Sequence, residues 1–323
     1  MIQDYPIDIV YLWCDSHDET WNALRNDTAK KCNVRLRNSA NGPCRCSSHD
    51  ELRYSLRSVE TYAPWIRNIF IVVYEDAKLP QWLNVDNPRL HVIRHSTIMP
   101  QEYLPCFSSV TIEYHICNIP ALSEHFLYAN DDMLFLNHVK RDFFFDDLGE
   151  PVVRMLNAEL PSVFLDYYVN TLVNSYKLVL ASHPNLSNEK ASLMRHMPHH
   201  NIDAYRKSHF LMTVQRYSHM LESRFKFPFR ARTDFQRMLI LWEEMAEYDA
   251  PCRIMFPDSQ YAVESIVVSG QLRRRGLTSL INNKIKLICF NDTQYSKSDD
   301  YVWLSYALDV LYPNPSQFER KLK

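Results

Sequence analysis

Short apolar runs recur along the chain and predict buried β-strands. Four of them, rich in β-branched and aromatic residues, cover residues 7–13, 69–74, 126–129 and 285–290. Runs of this length without alternating polar positions are typical of strands that are covered on both faces, as in parallel sheets. The pattern therefore favours an α/β fold.

Between these runs, apolar residues recur at helical spacing. Leu52, Leu56 and Val59 share one face of a predicted helix, and Ser48 and Glu51 have the spacing of a capping box at its start. A proline at position 64 ends this helix. The first region thus reads as strand, helix and strand in succession.

A similar stripe near the C-terminus, formed by Leu304, Leu308 and Leu311, predicts another helix, which Ser298 can cap. Strands that alternate with helices indicate a Rossmann-like, largely parallel sheet with helices on both faces. The segment 151–225 has a more helical and less regular pattern. We expect it to form an insert or lid on the sheet.

Composition excludes several classes of function. The 323 residues carry a net charge of −2, whereas proteins that bind nucleic-acid backbones normally have a clear basic excess. The chain has four glycines, and neither GxGxxG nor GxxxxGK[ST] occurs, so a glycine-rich phosphate loop is excluded. Any bound nucleotide must be held by other groups.

The sequence shows no targeting signal. Its first residues lack a basic stretch followed by an apolar core, and no run approaches the ~18 apolar residues of a membrane span. We expect a cytoplasmic protein whose eight cysteines are reduced thiols. The basic C-terminus, residues 318–323, is expected to be a solvated tail, with peripheral contact to the inner face of the membrane as the alternative.

Acidic residues follow three of the predicted strands. Asn130-Asp131-Asp132 comes directly after the third run, Asn291-Asp292 after the fourth, and Asp15 and Asp18 after the first. Because α/β proteins bind ligands at the carboxyl ends of parallel strands, these side chains are expected near one site. Carboxylates are the ligands that Mg²⁺ prefers, although each motif alone could be a polar turn.

Histidines and arginines supply further candidates. His196, His199 and His200 cluster around a proline, and histidine is the natural general base near neutral pH. A polar loop is the alternative for this cluster. Arg230 and Arg232 could clamp a phosphate with their planar forks of donors, or belong to a basic surface patch.

One cysteine-rich segment could bind zinc. Cys32, Cys44, Cys46 and His49 offer suitable ligands, but their spacing is not the usual C-x₂-C. A zinc site in this segment is therefore an alternative that the spacing does not favour.

Taken together, these segments resemble the Stealth family of sugar-phosphate transferases. That family includes bacterial capsule and surface-polysaccharide enzymes and the catalytic part of the GlcNAc-1-phosphotransferase that tags lysosomal enzymes. The second block is the most specific, since it opens on DELRYSLRS and closes on NDD. The segments that match the four blocks in order are residues 7–15, 50–58, 130–132, 196–198, 229–230, 289–292 and 312–319.

The resemblance implies a reaction and its partners. A sugar-1-phosphate, commonly GlcNAc-1-phosphate, would pass from a UDP-sugar to a hydroxyl of an oligosaccharide or polysaccharide acceptor, with release of UMP and with Mg²⁺ or Mn²⁺ as cofactor. The implied parts of the single catalytic domain are a nucleotide-sugar-binding core (1–150), a lid or acceptor insert (151–225) and a segment that completes the core (226–323).

The resemblance also implies roles for individual residues. Asp132 and Asp292 are expected to hold the metal, and Arg230 to stabilise charge on the phosphate. His196 is the candidate base for the acceptor hydroxyl. The residues expected to position the donor or to support it are Asp15, Arg53, Asn130, Asp131 and His199.

Two short segments depart from the family pattern. The family's Arg-Phe-Arg-Asp run reads Arg45-Cys46-Ser47-Ser48 here, and its His-Arg pair reads Cys117-Asn118. Each change removes a customary positive charge. Two alternatives therefore remain open: a metal-dependent glycosyltransferase that releases UDP, and a non-catalytic carbohydrate-binding relative.

Overall fold

A computed structural model of the protein describes residues 5–15, 17–36, 41–42, 49–161, 167–256, 262–269, 285–293 and 295–320. Its strands are β1 (Ile7–Leu12), β2 (Ile69–Val73), β3 (Leu90–Arg94), β4 (His125–Asn130), β5 (Met133–Phe135), β6 (Val153–Glu159), β7 (His196–Pro198), β8 (Asp203–Arg206), β9 (Cys252–Met255), β10 (Ala262–Val267) and β11 (Ile285–Asn291). Its helices are α1 (Glu19–Lys31), α2 (Glu51–Tyr62), α3 (His95–Ile98), α4 (Ser109–Glu113), α5 (Tyr167–Ser182), α6 (Asn188–Met194), α7 (Lys207–Arg216), α8 (Ser218–Phe225), α9 (Met238–Glu247) and α10 (Ser298–Leu311).

The largest sheet has five strands in the order β3-β2-β1-β4-β8. Its first four strands run parallel, and β8 lies antiparallel to β4. All four apolar runs form strands: three lie in this sheet, and the fourth is β11 of a smaller sheet. The α/β prediction is confirmed. The parallel strands β1, β2 and β4 end at one edge of the sheet.

Helices cover both faces of this sheet. Because successive strand residues point to opposite sides, each strand contributes side chains to both layers. Ile9 packs into an apolar cluster with Leu52 and Leu56 of α2, on the stripe predicted from the sequence. Its neighbour Val10 packs into a second cluster, which includes Trp242 of α9. Burying each of these aliphatic side chains contributes about 1.5–3 kcal/mol to folding, so the two faces hold the layers together.

Two smaller sheets extend this core, in the orders β10-β11-β5 and β7-β6-β9. The first is tied to the main sheet through β5, which begins three residues after β4 ends and pairs antiparallel with β11. The segment expected to be an insert, 151–225, supplies β8 to the main sheet as well as helices α5 to α8. Part of it therefore belongs to the core.

The C-terminal segment is packed on the protein up to residue 320, which corrects the expectation of a solvated tail. Phe318 is fully buried, and Glu319 forms a bridge with Leu83. The Arg320 Nε group donates to the carbonyl of the same leucine at 3.1 Å. Within the described residues, no helix has the length and apolar character needed to cross a membrane.

Candidate active site

A cavity of about 220 Å³ opens where β1, β2, β4 and β11 end. Aromatic side chains, among them Trp13, Trp21 and Tyr74, line part of its wall. Asn130-Asp131-Asp132 and Asp292 line another part, together with two arginines. The predicted convergence of polar residues from separate strands is therefore present in the structure.

The turn between β4 and β5 brings two acidic motifs together. β4 ends at Asn130, and the chain turns through Asp131-Asp132 before β5 leaves to pair with β11. The backbone N–H of Phe290 then donates to the carbonyl of Asp132 at 2.9 Å. Because Phe290 precedes Asn291-Asp292 by one residue, this contact sets the second motif beside the first.

Glu51 is a fourth carboxylate of this cluster, and the sequence interpretation missed it. It is the first residue of α2 and is only 6% exposed. Its pKa is raised from 4.5 to about 7 by burial and by the nearby Asp132 and Asp292, against the hydrogen bonds from the His49 and Glu51 N–H groups. The capping-box pattern explained this residue locally and so concealed its position in the cavity.

Asp131 lies close to the same carboxylates. Its pKa is raised well above the usual value by burial, by Glu51 and by Asp132. We refer to Glu51, Asp131, Asp132 and Asp292 as the cavity carboxylates. Like charges this close together are unfavourable unless a proton or a cation is shared between them.

The cavity carboxylates fit a hard divalent cation such as Mg²⁺ or Mn²⁺. The donor set consists of oxygens, as these ions require. Asp292 accepts a hydrogen bond from the Tyr301 hydroxyl on Oδ1 at 2.5 Å. Its Oδ2 atom is buried and has no hydrogen-bond partner in the part of the chain that the structure describes, which leaves it available as a ligand.

Two arginines line the same cavity. Arg230, predicted from the sequence, donates from Nη2 to the Ser109 hydroxyl at 2.7 Å. Arg237 was not predicted. It is buried, donates to Asp203 Oδ2 at 2.6 Å and to the Tyr205 hydroxyl at 2.7 Å, and so is held rigidly at the cavity.

The structure separates the three clustered histidines. His200 lines the cavity, near the ring of Tyr168. His196 lies on β7, where its backbone pairs with Glu159 and its Nδ1 is 3.2 Å from the carbonyl of Leu193. This histidine, the candidate base, is not among the residues that line the cavity.

His199 is also held away from the cavity lining. Its Nε2 lies 2.7 Å from the carbonyl of Val263, and burial lowers its pKa to about 4. A histidine with that pKa is neutral at physiological pH. Its contacts are those of a buried side chain that joins two segments of the fold.

Three other predicted residues lie at or near the cavity. Asn130 lines it and accepts a hydrogen bond from the Tyr128 hydroxyl at 3.0 Å. Asp15 follows β1 directly after Cys14, which lines the cavity, but is not itself part of the lining. Asp18 caps α1 by accepting from the Thr20 N–H at 3.0 Å, so it is a structural residue.

Arg53 and Arg57 meet Glu319 rather than the cavity. Arg53 Nε donates to Glu319 Oε2 at 2.5 Å, and Arg57 donates to both carboxylate oxygens at 2.7 and 2.8 Å. We call these three residues the C-terminal clasp. Arg53 was expected to position the donor, but the structure does not place it in the cavity lining.

The remaining sequence candidates fall elsewhere. Arg232 is not part of the cavity lining, and its carbonyl accepts from Asn174 at 2.9 Å. Cys44, Cys46 and the Arg45–Ser48 departure lie outside the described residues, so the zinc alternative stays a prediction. Neither Cys117 nor Asn118 lines the cavity: the first is buried, and the second donates to the carbonyl of Ile98 at 2.8 Å.

Comparison with known proteins matches one region of the chain to a family. The model of Stealth protein conserved region 2 matches residues 45–153. An exopolysaccharide phosphotransferase of Streptomyces coelicolor is 32% identical across 98% of this chain and 53% of its own length. Residues 45–153 thus carry the conserved region 2 of Stealth proteins. The matched Stealth region contains Glu51, Asp131 and Asp132, three of the four cavity carboxylates.

Other relatives are matched over most of their length. An exopolysaccharide phosphotransferase of Lactiplantibacillus plantarum is 29% identical across 91% of this chain and 90% of its own length. A capsular polysaccharide phosphotransferase of Haemophilus influenzae is 28% identical across 92% and 80%. The chain thus spans about half of the Streptomyces relative and most of these two.

Solved structures show weaker likeness. A galactosyltransferase in complex with donor and acceptor sugar analogues covers 96% of both chains with a TM-score of 0.44 and 12% identity. Likeness at this level supports no conclusion about this chain.

Proposed function

We propose that this protein transfers a sugar-1-phosphate, such as GlcNAc-1-phosphate, from a UDP-sugar to an acceptor hydroxyl in surface-polysaccharide synthesis. The acceptor oxygen would bond to the phosphorus that carries the sugar, and the bond from that phosphorus to UMP would break. The observation that carries the proposal is the set of four crowded cavity carboxylates, three that follow strands and one at the start of α2. The names of the relatives, exopolysaccharide and capsular polysaccharide phosphotransferases, support it.

The cavity carboxylates would hold Mg²⁺ or Mn²⁺ in this reaction. Asp132 and Asp292 were expected as ligands, and the position of Glu51 adds a third candidate. When bound, such an ion neutralises negative charge on the diphosphate. Asp15, Asn130 and Asp131 are proposed to position the nucleotide sugar beside it.

Arg230 is proposed to stabilise negative charge on the phosphate. Its planar guanidinium suits phosphate oxygens, and its bond to Ser109 fixes it at the wall. Arg237 adds a second fixed positive charge to the same wall, partly offset by its ion pairs with Asp203 and Glu113. Cys117 and Asn118, which replace the charged His-Arg pair of the family, do not line the cavity with these arginines.

His200 is proposed to accept the proton of the attacking hydroxyl. It is the member of the sequence cluster that lines the cavity, whereas His196 and His199 are engaged elsewhere. Loss of a general base costs about 10²–10⁴ in rate. His200→Ala should therefore reduce turnover by at least a hundredfold, while His196→Ala should stay within twofold of the parent. The reverse order would return the role to His196.

Product analysis tests the function itself. The protein would be incubated with UDP-GlcNAc, Mg²⁺ and a mixture of oligosaccharide acceptors, and the nucleotide product identified by chromatography and ³¹P NMR. Acceptor-dependent UMP and a new phosphodiester signal are the expected result. UDP would mean attack at the sugar carbon, as in a glycosyltransferase, and would overturn the proposed bond cleavage.

A binding measurement separates catalysis from simple recognition. A ligand that binds the native state raises the thermal unfolding temperature. If the nucleotide binds together with the ion, it should raise this temperature only when Mg²⁺ is present. A non-catalytic carbohydrate-binding relative would show no Mg²⁺-dependent effect of the nucleotide. If a panel of nucleotide sugars also produced neither UMP nor UDP, the transferase proposal would be wrong.

A further inference from the structure

A second cluster of metal-ligand side chains lies outside the active-site cavity. It consists of Glu150 before β6, His209 on α7 and Glu244 on α9, and none of the three lines the cavity. We propose that this second cluster binds a divalent transition metal of the zinc class. The site is independent of the proposed transfer reaction, and its role would be to tie two helices to the loop that precedes β6.

The geometry of the second cluster suits one ion. One ligand atom from each residue lies within 4.8 Å of the other two. His209 Nδ1 is 2.8 Å from Glu244 Oε2 and 3.8 Å from Glu150 Oε2. A zinc ion bonded at about 2.0–2.2 Å to each ligand would need only small side-chain shifts from these distances.

Buried oxygens without partners point to a missing ligand. Glu244 is fully buried, and its Oε1 atom has no hydrogen-bond partner in the described parts of the chain. Glu150 Oε2 is buried and lacks a partner in the same sense. Leaving a buried charged oxygen unsatisfied is unfavourable, so two such oxygens beside one imidazole indicate a cation.

The neighbouring charges leave the second cluster acidic. Arg206 donates to Glu150 through the other oxygen, Oε1, at 2.6 Å, and is also 3.4 Å from Glu124. One arginine therefore contacts two carboxylates, Glu124 and Glu150, and Glu244 beside His209 adds a third carboxylate to the group.

A matched cluster in the same protein supplies the contrast. His183, Glu243 and Glu247 offer the same three residue types within the same distance. There, Arg216 contacts both carboxylates through Nη1, and lies 3.2 Å from Glu247. The guanidinium occupies the position that an ion would take, so we expect no metal at this control cluster.

Metal titration of the intact protein tests the proposal. Co²⁺ would be added as a spectroscopic probe in excess Mg²⁺, which competes for the cavity carboxylates, and Zn²⁺ stoichiometry would be measured by equilibrium dialysis. We expect a visible Co²⁺ spectrum with imidazole ligation, one equivalent of Zn²⁺ and a higher unfolding temperature.

Variants locate the ion. His209→Gln should abolish the Co²⁺ spectrum and weaken Zn²⁺ binding at least tenfold, whereas His183→Gln should leave both unchanged. Glu150→Gln provides a second test if the first variant does not fold. Equal binding by the parent, His209→Gln and Glu150→Gln, or loss of binding in His183→Gln, would overturn the proposal.

Discussion

Helix α2 meets two acidic groups in opposite surroundings, one at its first residue and one contacted by its arginines. At its start, Glu51 lies among other carboxylates, and burial with those neighbours raises its pKa to about 7. Farther along, Arg53 and Arg57 reach Glu319, whose pKa is lowered to about 2 because their hydrogen bonds and that of the Ser316 N–H outweigh burial. Two glutamates that differ little in burial thus have opposite preferences for a proton.

The difference teaches how structural and functional carboxylates can be told apart. The C-terminal clasp is closed by its own arginines, so its negative charge is balanced within the chain. The cavity carboxylates repel one another, and their balance must come from a proton or a bound cation. Uncompensated charge in a cavity is therefore the better indicator of ligand binding.

The largest effect should come from removing one cavity carboxylate. Asp292→Asn is expected to lower the rate of UMP formation about a thousandfold, equivalent to about 4 kcal/mol, because it weakens the binding and charge balance of the proposed cation. Initial rates across a Mg²⁺ titration would measure this. The control, Asp299→Asn, changes an exposed carboxylate on α10 and should behave like the parent. Unchanged Mg²⁺ dependence in Asp292→Asn would refute its role as a ligand.

The next effect concerns the clasp and is one of stability. Glu319→Gln leaves the Arg57 guanidinium buried without its partner, which should lower the free energy of unfolding by about 3 kcal/mol at pH 7. Because the folded pKa lies below the unfolded one, this contribution should shrink as the pH falls from 4.5 towards 2. Urea unfolding across that range would test the trend.

A nearby half-buried acid whose hydrogen bonds are exposed to solvent serves as the control for the clasp. Glu60 accepts these hydrogen bonds from Gln317. Glu60→Gln should therefore change the free energy of unfolding by less than about 0.5 kcal/mol. A loss equal to that of Glu319→Gln would mean that the tail contact, rather than the charge balance, matters.

The stability contributed by Glu51 in the cavity should depend on pH in the opposite direction. Since the pKa of Glu51 is raised in the fold, ionising it costs stability as the pH rises from 4.5 through about 7. Glu51→Gln should thus be more stable than the metal-free parent at pH 8, by about 1–2 kcal/mol, and equal to it below pH 4.5. Unfolding in the presence of a chelator would measure this difference.

Addition of Mg²⁺ gives a second comparison of the parent with Glu51→Gln. The parent should gain more stability than Glu51→Gln, because a native-state ligand stabilises in proportion to its affinity. If the variant were less stable than the parent at pH 8 without metal, the crowding of the cavity carboxylates would be disproved.

The strands of the core and part of the site could be predicted from the sequence. The apolar runs predicted β1, β2, β4 and β11, and acidic residues at the ends of two of them predicted that Asp132 and Asp292 would meet. The physical reason is local, since β-branched and aromatic side chains fit the pleated surface of a strand. Their meeting depends on the antiparallel pairing of β5 with β11, which joins residues more than 150 positions apart in the sequence.

Other parts of the site depend on contacts that no local pattern contains. Glu51 fits both a capping pattern and a cavity wall. Because the capping pattern already accounted for it, the sequence pattern did not indicate its place in the cavity. Which of His196, His199 and His200 reaches the cavity is decided by the pairing of β7 with β6. The acid of the clasp, Glu319, lies 262 residues from Arg57, in a tail that was expected to be solvated.

The smallest predicted effect concerns Arg53, which the family resemblance assigned to the donor. Arg53 is more exposed than Arg57 and makes the outer contact of the clasp, beside the ring of Trp82. Arg53→Ala should therefore cost about 1 kcal/mol of unfolding free energy, and the KM for the UDP-sugar should stay within twofold of the parent. Parallel urea unfolding and initial-rate measurements would separate the two roles. A tenfold rise in KM with unchanged stability would instead move Arg53 from the clasp to the donor, and would show that α2 contributes to the cavity at more than its first residue.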